Sequence, residues 1–391
     1  MDAIEWDFRD PAAPLRDVTG GSLQLRGAGP RWTADPIVGG ALRFDGERDF
    51  LVIDAAATGP LNVAEKGDRV SVIALVRRAN LATGFIAGMW QEDDADPRRQ
   101  YGLFVSLPTY GGAHQAIGHV SADGRPSESL PYSREYAASA RMMVPGGWRV
   151  VGFTYDGAEI TAYLDGIADP RPHFREIGPP MGQAREYAKN PYAYPLGLNR
   201  LNVSDFTIGA VLLSSGMGNH FAGDIARVRV VPAALDARQM LDIAAEWTPE
   251  GAPLIHVDLY RPRAGVRSVS GGADGEAWPL EALGFSSDGP VGEVRRSRLV
   301  VPAGGRPGRI TLIRFPGFAA ERIEAVEVEF ESGIAALEIR SHHEWGSVGA
   351  LSPGMQRLSL AGVGGSIHEL ALAVDPRDEP AVVRGLRVWA R

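Results

Sequence analysis

The sequence predicts an all-β chain of two sandwich domains, and three observations carry that prediction. Apolar residues recur with a period of two in short runs, 48 glycines and 28 prolines punctuate the runs, and helices long enough for parallel crossovers are missing. At 391 residues the chain exceeds what one hydrophobic core usually serves, so two domains of ordinary size are expected.

The elements follow in order. SVIALV (71–76), YGLFVSL (101–107), WRVVGFTY (148–155) and ITAYLDG (160–166) read as strands, several bounded by Asp-Gly or Gly-Gly turns. In HQAIGHVS (114–121), Gln115, Ile117 and His119 share one face, while Ala116, Gly118 and Val120 share the other. If the small apolar side packs inward, Gln115 and His119 point into a cleft or solvent. GNHFAGDIARVRVVPAALDARQM (218–240) runs from a glycine turn through an alternating strand into a helix. Asp236 and Gln239 make a capping-box-like start, and Met240, Leu241, Ile243, Ala244 and Trp247 follow at helical spacing. TPEGAP (248–253) breaks that helix and reads as a linker, so domains are expected over 1–247 and 254–391. In AVEVEFES (325–332) Val326, Val328 and Phe330 face one way and three glutamates the other, and LRVWAR ends the chain on another strand.

A formal net charge of -8 supplies no basic field, which argues against nucleic-acid and anionic-membrane partners. The absence of cysteine excludes disulfides, thiol nucleophiles and cysteine-ligated metals. MDAIEWDFRD is acidic and unlike a secretory leader, and no run approaches the ~18 apolar residues of a membrane span. A cytoplasmic protein is expected, or a secreted one if a leader precedes this sequence. Lysine occurs only at Lys66 and Lys189, which reads as arginine-rich composition.

GALRFDGERDFLVI (40–53), FTYDGAEITAYLDG (153–166), FTIGA (206–210) and FAGDIARVRVVPAALDARQM (221–240), in that order, resemble laminin-G-like members of the concanavalin A-like lectin/glucanase superfamily over about 1–247. The resemblance implies a two-sheet jelly roll that opens on IEWDF (4–8), closes on a strand and short helix, and carries a glycan site on its concave face. Fold alone leaves function open among lectins, hydrolases, lyases and adhesion modules. The Glu-x-Asp-x-x-Glu strand of the glucanases is not found. Ala226 follows Ile225 where calcium-binding members place an aspartate; Asp7, Asp45 or Asp224 with backbone carbonyls remain as a calcium alternative, and no cofactor is required. Region 254–391 resembles galactose-binding-like or other carbohydrate-binding β-sandwiches in strand pattern.

Sugar recognition needs a flat apolar face for stacking and charged groups for hydroxyls or a uronate. GMWQEDDADPRRQYGLFV (88–105) supplies Trp90, Glu92, Arg99, Gln100 and Tyr101; HQAIGHVS adds Gln115 and His119; Tyr132 and Tyr136 and the turn-rich REYAKNPYAYPLGLNR (185–200), with Asn190, Tyr192 and Tyr194, add aromatic platforms. Glu92, His119 and Tyr101 are the candidate catalytic groups, and the others are candidate sugar contacts. Three functions are open: recognition of an oligosaccharide or polysaccharide; catalysis on one; or a structural, protein-interaction role. Catalysis divides into hydrolysis by carboxylates such as Glu92, Asp93 or Asp94, and β-elimination with Tyr and His as acid and base and Arg or Gln neutralising a uronate. Gln115, Ile117 and His119 loosely resemble the Gln-Ile-His motif of jelly-roll lyases, with different spacing.

Residues 4–8 and 224–231 should lie in one sandwich, because a jelly roll closes its edges by bringing distant strands together. His220 should look outward with Asp224 as an edge residue bonding a loop, with Phe221 and Ile225 in the core.

Overall fold

The computed structural model describes residues 3–390 other than 13, 28, 127–132, 177–184, 260–277, 296 and 342–343. It is all-β, and among the described residues the one α-helix is Ala237–Trp247. The chain forms two compact units: Met1–Ser139, Met143–Leu164 and Pro172–Asp236 make the first, and Ala140–Met142, Asp165–Arg171 and Ala237–Arg391 the second. The helix therefore groups with the second unit. Its buried face is Met240, Leu241, Ala244 and Trp247. Gly166, at φ +74, lies so close that a Cβ there would stand 2.7 Å from Leu241 Cα and Ala244 Cβ. Arg238 also pairs with Asp242, which Arg322 engages in turn.

In the first unit the described residues build an eight-stranded and a six-stranded sheet. The larger sheet centres on Val70–Arg78, flanked by Arg149–Tyr155 and Ala222–Val231; the smaller runs Tyr136–Ala138, Gly112–Val120, Tyr101–Leu107, Gly84–Met89, Phe206–Ile208, Leu51–Ile53. Strand alternation sends Val72, Ala74, Val76, Val151, Phe153 and Tyr155 from one sheet, and Tyr101, Leu103, Val105, Ala116 and Val120 from the other, into a single core. Gly118 lies so near the opposite sheet that a Cβ would fall 2.2 Å from Phe153 Cβ.

The expected closure is present. Ile4–Asp7 pairs antiparallel with Ala222–Val231, from Ile4 opposite Val230 to Asp7 opposite Arg227. Trp6, fully buried, stacks on Phe206 at 5.3 Å. Phe221 and Ile225 are core, as expected. His220 Nε2 lies 3.2 Å from the Met217 carbonyl, the expected loop contact. Asp224, by contrast, is buried and held by Arg43 and Arg77, so it does not face outward.

The second unit pairs a seven-stranded with a five-stranded sheet among its described residues. In Ile323–Ser332 the buried residues include Val326, Val328 and Phe330, whereas Glu327 bonds Arg357 and Glu331 bonds Arg384 on the other face. LRVWAR lies largely within the last strand, Ala381–Ala390.

Candidate functional site

The six-stranded sheet has a second face, away from the main core. There Phe85, Trp90, Phe104, Ile117 and Tyr136 pack into a smaller cluster, joined by Tyr110, Ala138 and Val211. His119 belongs to this face, opposite Gly102 on one neighbouring strand and Tyr136 on the other. Gly102 leaves room that the rings of Phe85 and Phe104 fill. His119 meets the Trp90 indole at 4.4 Å and the Tyr136 ring at 5.5 Å, centroid to centroid.

Charged groups edge this aromatic layer. The Trp90 indole N–H donates to Glu92 Oε1 at 2.7 Å. Arg99 Nη2 stands 4.0 Å from Glu92 Oε2, and the guanidinium carbon lies 5.8 Å from the Trp90 ring centre. Lys189 places Nζ 3.3 Å from the Tyr136 ring centre and 5.3 Å from that of Tyr192, and donates to the Arg134 carbonyl.

Two of these groups are buried with polar atoms unused. Arg99 is 7% exposed, His119 4%. Neither Nε nor Nη1 of Arg99, and neither ring nitrogen of His119, has a hydrogen-bond partner among the described residues. An unpaired buried polar group costs about 1–3 kcal/mol, so this arrangement is what a hydrogen-bonding ligand would relieve. Burial, then the charges of Arg99 and Lys189, push the His119 imidazole well below its ordinary pKa. It is a neutral ring at pH 7, with one nitrogen able to donate and the other to accept. Burial also lowers Arg99, opposed by Glu92, Asp94, Glu135 and Asp123; the guanidinium stays charged.

The structure thus brings together Trp90, Glu92, Arg99 and His119. It separates others. Tyr101 faces the main core, where its hydroxyl donates to the Leu61 carbonyl at 2.8 Å, because strand alternation puts it opposite Val120 and on the far face from Phe104. Gln100 is buried, donating to Asn62 Oδ1 and the Asn199 carbonyl, and so ties two loops. Asn190 bonds both backbone groups of Ala162, acting as one more rung beside that strand. Tyr194 is core, its hydroxyl accepting from the Ala122 amide. Tyr192 is half-buried, with its ring centre 5.3 Å from Lys189 Nζ. Gln115 and His119 share the expected face but are buried, not open to a cleft, since the aromatic layer covers that face. Tyr132 lies outside the described residues.

Sequence reasoning missed Lys189. Its signal was present: a lysine between tyrosines, in a chain that otherwise uses arginine. The calcium aspartates are engaged elsewhere. Asp7 pairs with Arg9, Asp224 with Arg43 and Arg77, and Asp45 accepts from the backbone amides of Glu47, Arg48 and Asp49. No group of three metal-ligating side chains occurs among the described residues.

No family model matches the chain, and no curated protein matches it. Among solved structures it is similar to domain 4 of an extracellular GH43 arabinanase from Geobacillus stearothermophilus, in complex with arabinotriose, at 16% identity and TM-score 0.39 over 61% of this chain and 96% of that one. It is similar to the CBM40 of a Ruminococcus gnavus IT-sialidase bound to α2,3-sialyllactose at 9% identity and TM-score 0.35, over 52% of this chain and 95% of that one. A Trypanosoma rangeli sialidase in complex with sialic acid is similar at 14% identity and TM-score 0.37, over 61% of this chain and 31% of its own.

Proposed function

We propose that the first unit is a laminin-G-like, concanavalin A-like sandwich that recognises carbohydrate, and that its ligand is a sugar bearing a carboxylate. The pairing of the N-terminal strand with the closing strand supports the fold reading. The site is the cluster of Trp90, Glu92, Arg99 and His119. One observation carries the ligand class: buried Arg99 has Nε and Nη1 without hydrogen-bond partners among the described residues, beside a neutral His119 and an indole. A carboxylate accepts from the guanidinium edge, a hydroxyl pairs with the imidazole, and the apolar face of a sugar ring meets Trp90. Because both polar groups are nearly covered, entry displaces the side chains around them, and association is slow for a small ligand.

Calorimetric titration with oligogalacturonate, and with the matching methyl ester, tests this. The acid should bind, the ester should bind at least about tenfold more weakly, and Arg99→Ala should remove the difference, a change of about 1.4 kcal/mol. Equal binding of acid and ester refutes the carboxylate reading; binding of neither refutes recognition of this ligand class at the site.

A second reading, β-elimination from a uronate, is favoured by the neutral His119 beside Tyr136. His119 would take the proton next to the carboxylate, the glycosidic C–O bond would break, and Tyr136 would protonate the departing oxygen. The appearance of unsaturated-uronate absorbance separates this from binding alone.

A further inference from the structure

The larger sheet of the first unit carries a row of arginines that the cluster on the smaller sheet does not use. Arg31 of Arg31–Asp35 lies opposite Arg43 of Gly39–Asp45, Arg43 opposite Asp224, and Asp224 opposite Arg77 of Val70–Arg78. Cross-strand neighbours share a face, and this one points away from the core that Leu42, Phe44 and Val76 enter. Asp224 is the buried anchor. It accepts from Arg43 Nε at 2.8 Å and from Arg77 Nε and Nη2 at 2.9 and 2.8 Å. Arg77 is held further by Asp35 at 2.8 Å and by Trp148, whose ring centre lies 4.8 Å from the guanidinium carbon.

Arg43 is fixed by this anchor but not used up. Its side chain is 55% exposed, and its Nη1 has no hydrogen-bond partner among the described residues. Arg31 is exposed, and its guanidinium has no ion-pair partner among the described residues. Arg78, the next residue on the Arg77 strand, is buried; it donates to the carbonyls of Met143 and Ala82 and has no carboxylate partner among the described residues. Burial pushes its pKa down to about 10, so it remains charged at pH 7. A cavity of about 570 Å³ opens among Arg43, Arg77, Arg78 and Asp224, with Ala79, Pro145 and Gly146 along its wall. A Cβ added at Gly146 would meet no atom within 4 Å, so the wall is low there.

Charge and size select the ligand. Arg31, Arg43, Arg77 and Arg78 supply four positive charges against the two negative ones of Asp35 and Asp224, in a chain whose net charge is -8. A monocarboxylate neutralises half of that excess. A phosphate monoester carries about -1.5 to -2 at pH 7, and guanidinium edges match its oxygens in bidentate pairs. The cavity falls within the range of about 300–1,000 Å³ that small molecules occupy, and Ala79 and Pro145 offer its organic group an apolar wall.

From this row we infer that the outer face of the larger sheet binds a small organic phosphate monoester, with Arg43 and Arg31 contacting the phosphoryl oxygens and Asp224 and Arg77 positioning Arg43. The site is separate from the Trp90, Glu92, Arg99 and His119 cluster and does not depend on the carbohydrate reading.

Calorimetry on the full chain with phenyl phosphate, inorganic phosphate and benzoate tests it. Phenyl phosphate should bind, and benzoate and inorganic phosphate should each bind at least about tenfold more weakly. Arg43→Ala should weaken phenyl phosphate at least about tenfold and Arg99→Ala should leave it unchanged. Should Arg43→Ala fail to fold, Arg31→Ala removes an exposed side chain without an ion-pair partner and should still weaken binding at least about threefold. No binding of phenyl phosphate, equal binding of benzoate or inorganic phosphate, or binding unchanged in a folded arginine variant of the row overturns the proposal. Binding lost in Arg99→Ala also overturns it, since the anion would then occupy the other site.

Discussion

The His119 imidazole lies 4.4 Å from the Trp90 indole, tilted 42° to it, with neither ring nitrogen bonded among the described residues. That contact gives a pH signature. Burial and the neighbouring Arg99 and Lys189 push the folded-state pKa of His119 well below its ordinary value. Above about pH 6.5 the ring is neutral in both folded and unfolded chains, and its contribution is constant. As pH falls through that value the unfolded chain takes up a proton that the folded one refuses, and stability drops by up to about 1.4 kcal/mol per pH unit. Urea unfolding of the protein and of His119→Gln at several pH values should show a shallower acid slope in the variant. His114 is also pushed down by burial, but it is common to both proteins and leaves the difference to His119. Identical slopes would contradict a neutral, buried His119.

Closure of the first unit rests on Glu5. Its side chain, 4% exposed, receives hydrogen bonds from Arg227 and Arg229 of the closing strand. Removing it leaves two largely buried arginines without that acceptor, so Glu5→Ala should cost about 3–5 kcal/mol. Glu5→Gln, which keeps an acceptor, should cost less. Denaturant melts check both, and a loss below about 1 kcal/mol for the alanine variant would mean the contact behaves as an exposed pair.

Gly118 has a different sensitivity. A Cβ there would meet Phe153 at 2.2 Å, so Gly118→Ala should destabilise by at least about 1–3 kcal/mol through overpacking between the sheets. A variant with an unchanged melting midpoint would mean that the sheets separate freely at this point.

Tyr101 separates core from site. Because its hydroxyl bonds the Leu61 carbonyl inside the sandwich, Tyr101→Phe should lose about 1 kcal/mol of stability and leave oligogalacturonate binding and any elimination activity unchanged. Loss of either with intact folding would restore Tyr101 to the site.

Much of the fold was legible because strand period is local. YGLFVSL coincides with Tyr101–Leu107, and the two faces of Gly112–Val120 divide as its alternation predicts, Ala116 and Val120 inward and Ile117 and His119 outward. The site was half legible. Trp90, Glu92 and Arg99 stood close in sequence, and the pairing of neighbouring strands brought His119 to them. Tyr101, expected at the site from its residue type, follows Gln100 by one position and turns to the opposite core. Lys189 was missed because its contacts with Tyr136 and Tyr192 depend on where a long connection returns, which no local pattern encodes. The grouping of the helix with the second unit is likewise set by tertiary packing against Gly166.

Recognition of a carboxylated sugar at Arg99 and His119 is read most directly from the side-chain nitrogen resonances of His119, assigned with His119→Gln and followed while oligogalacturonate is added. A neutral, buried His119 should keep neutral-imidazole shifts as pH falls through its ordinary pKa without ligand, and should show a saturable change on addition that is absent in Arg99→Ala. A His119 that titrates near its ordinary value, about 6.5, with resonances indifferent to the sugar would contradict it.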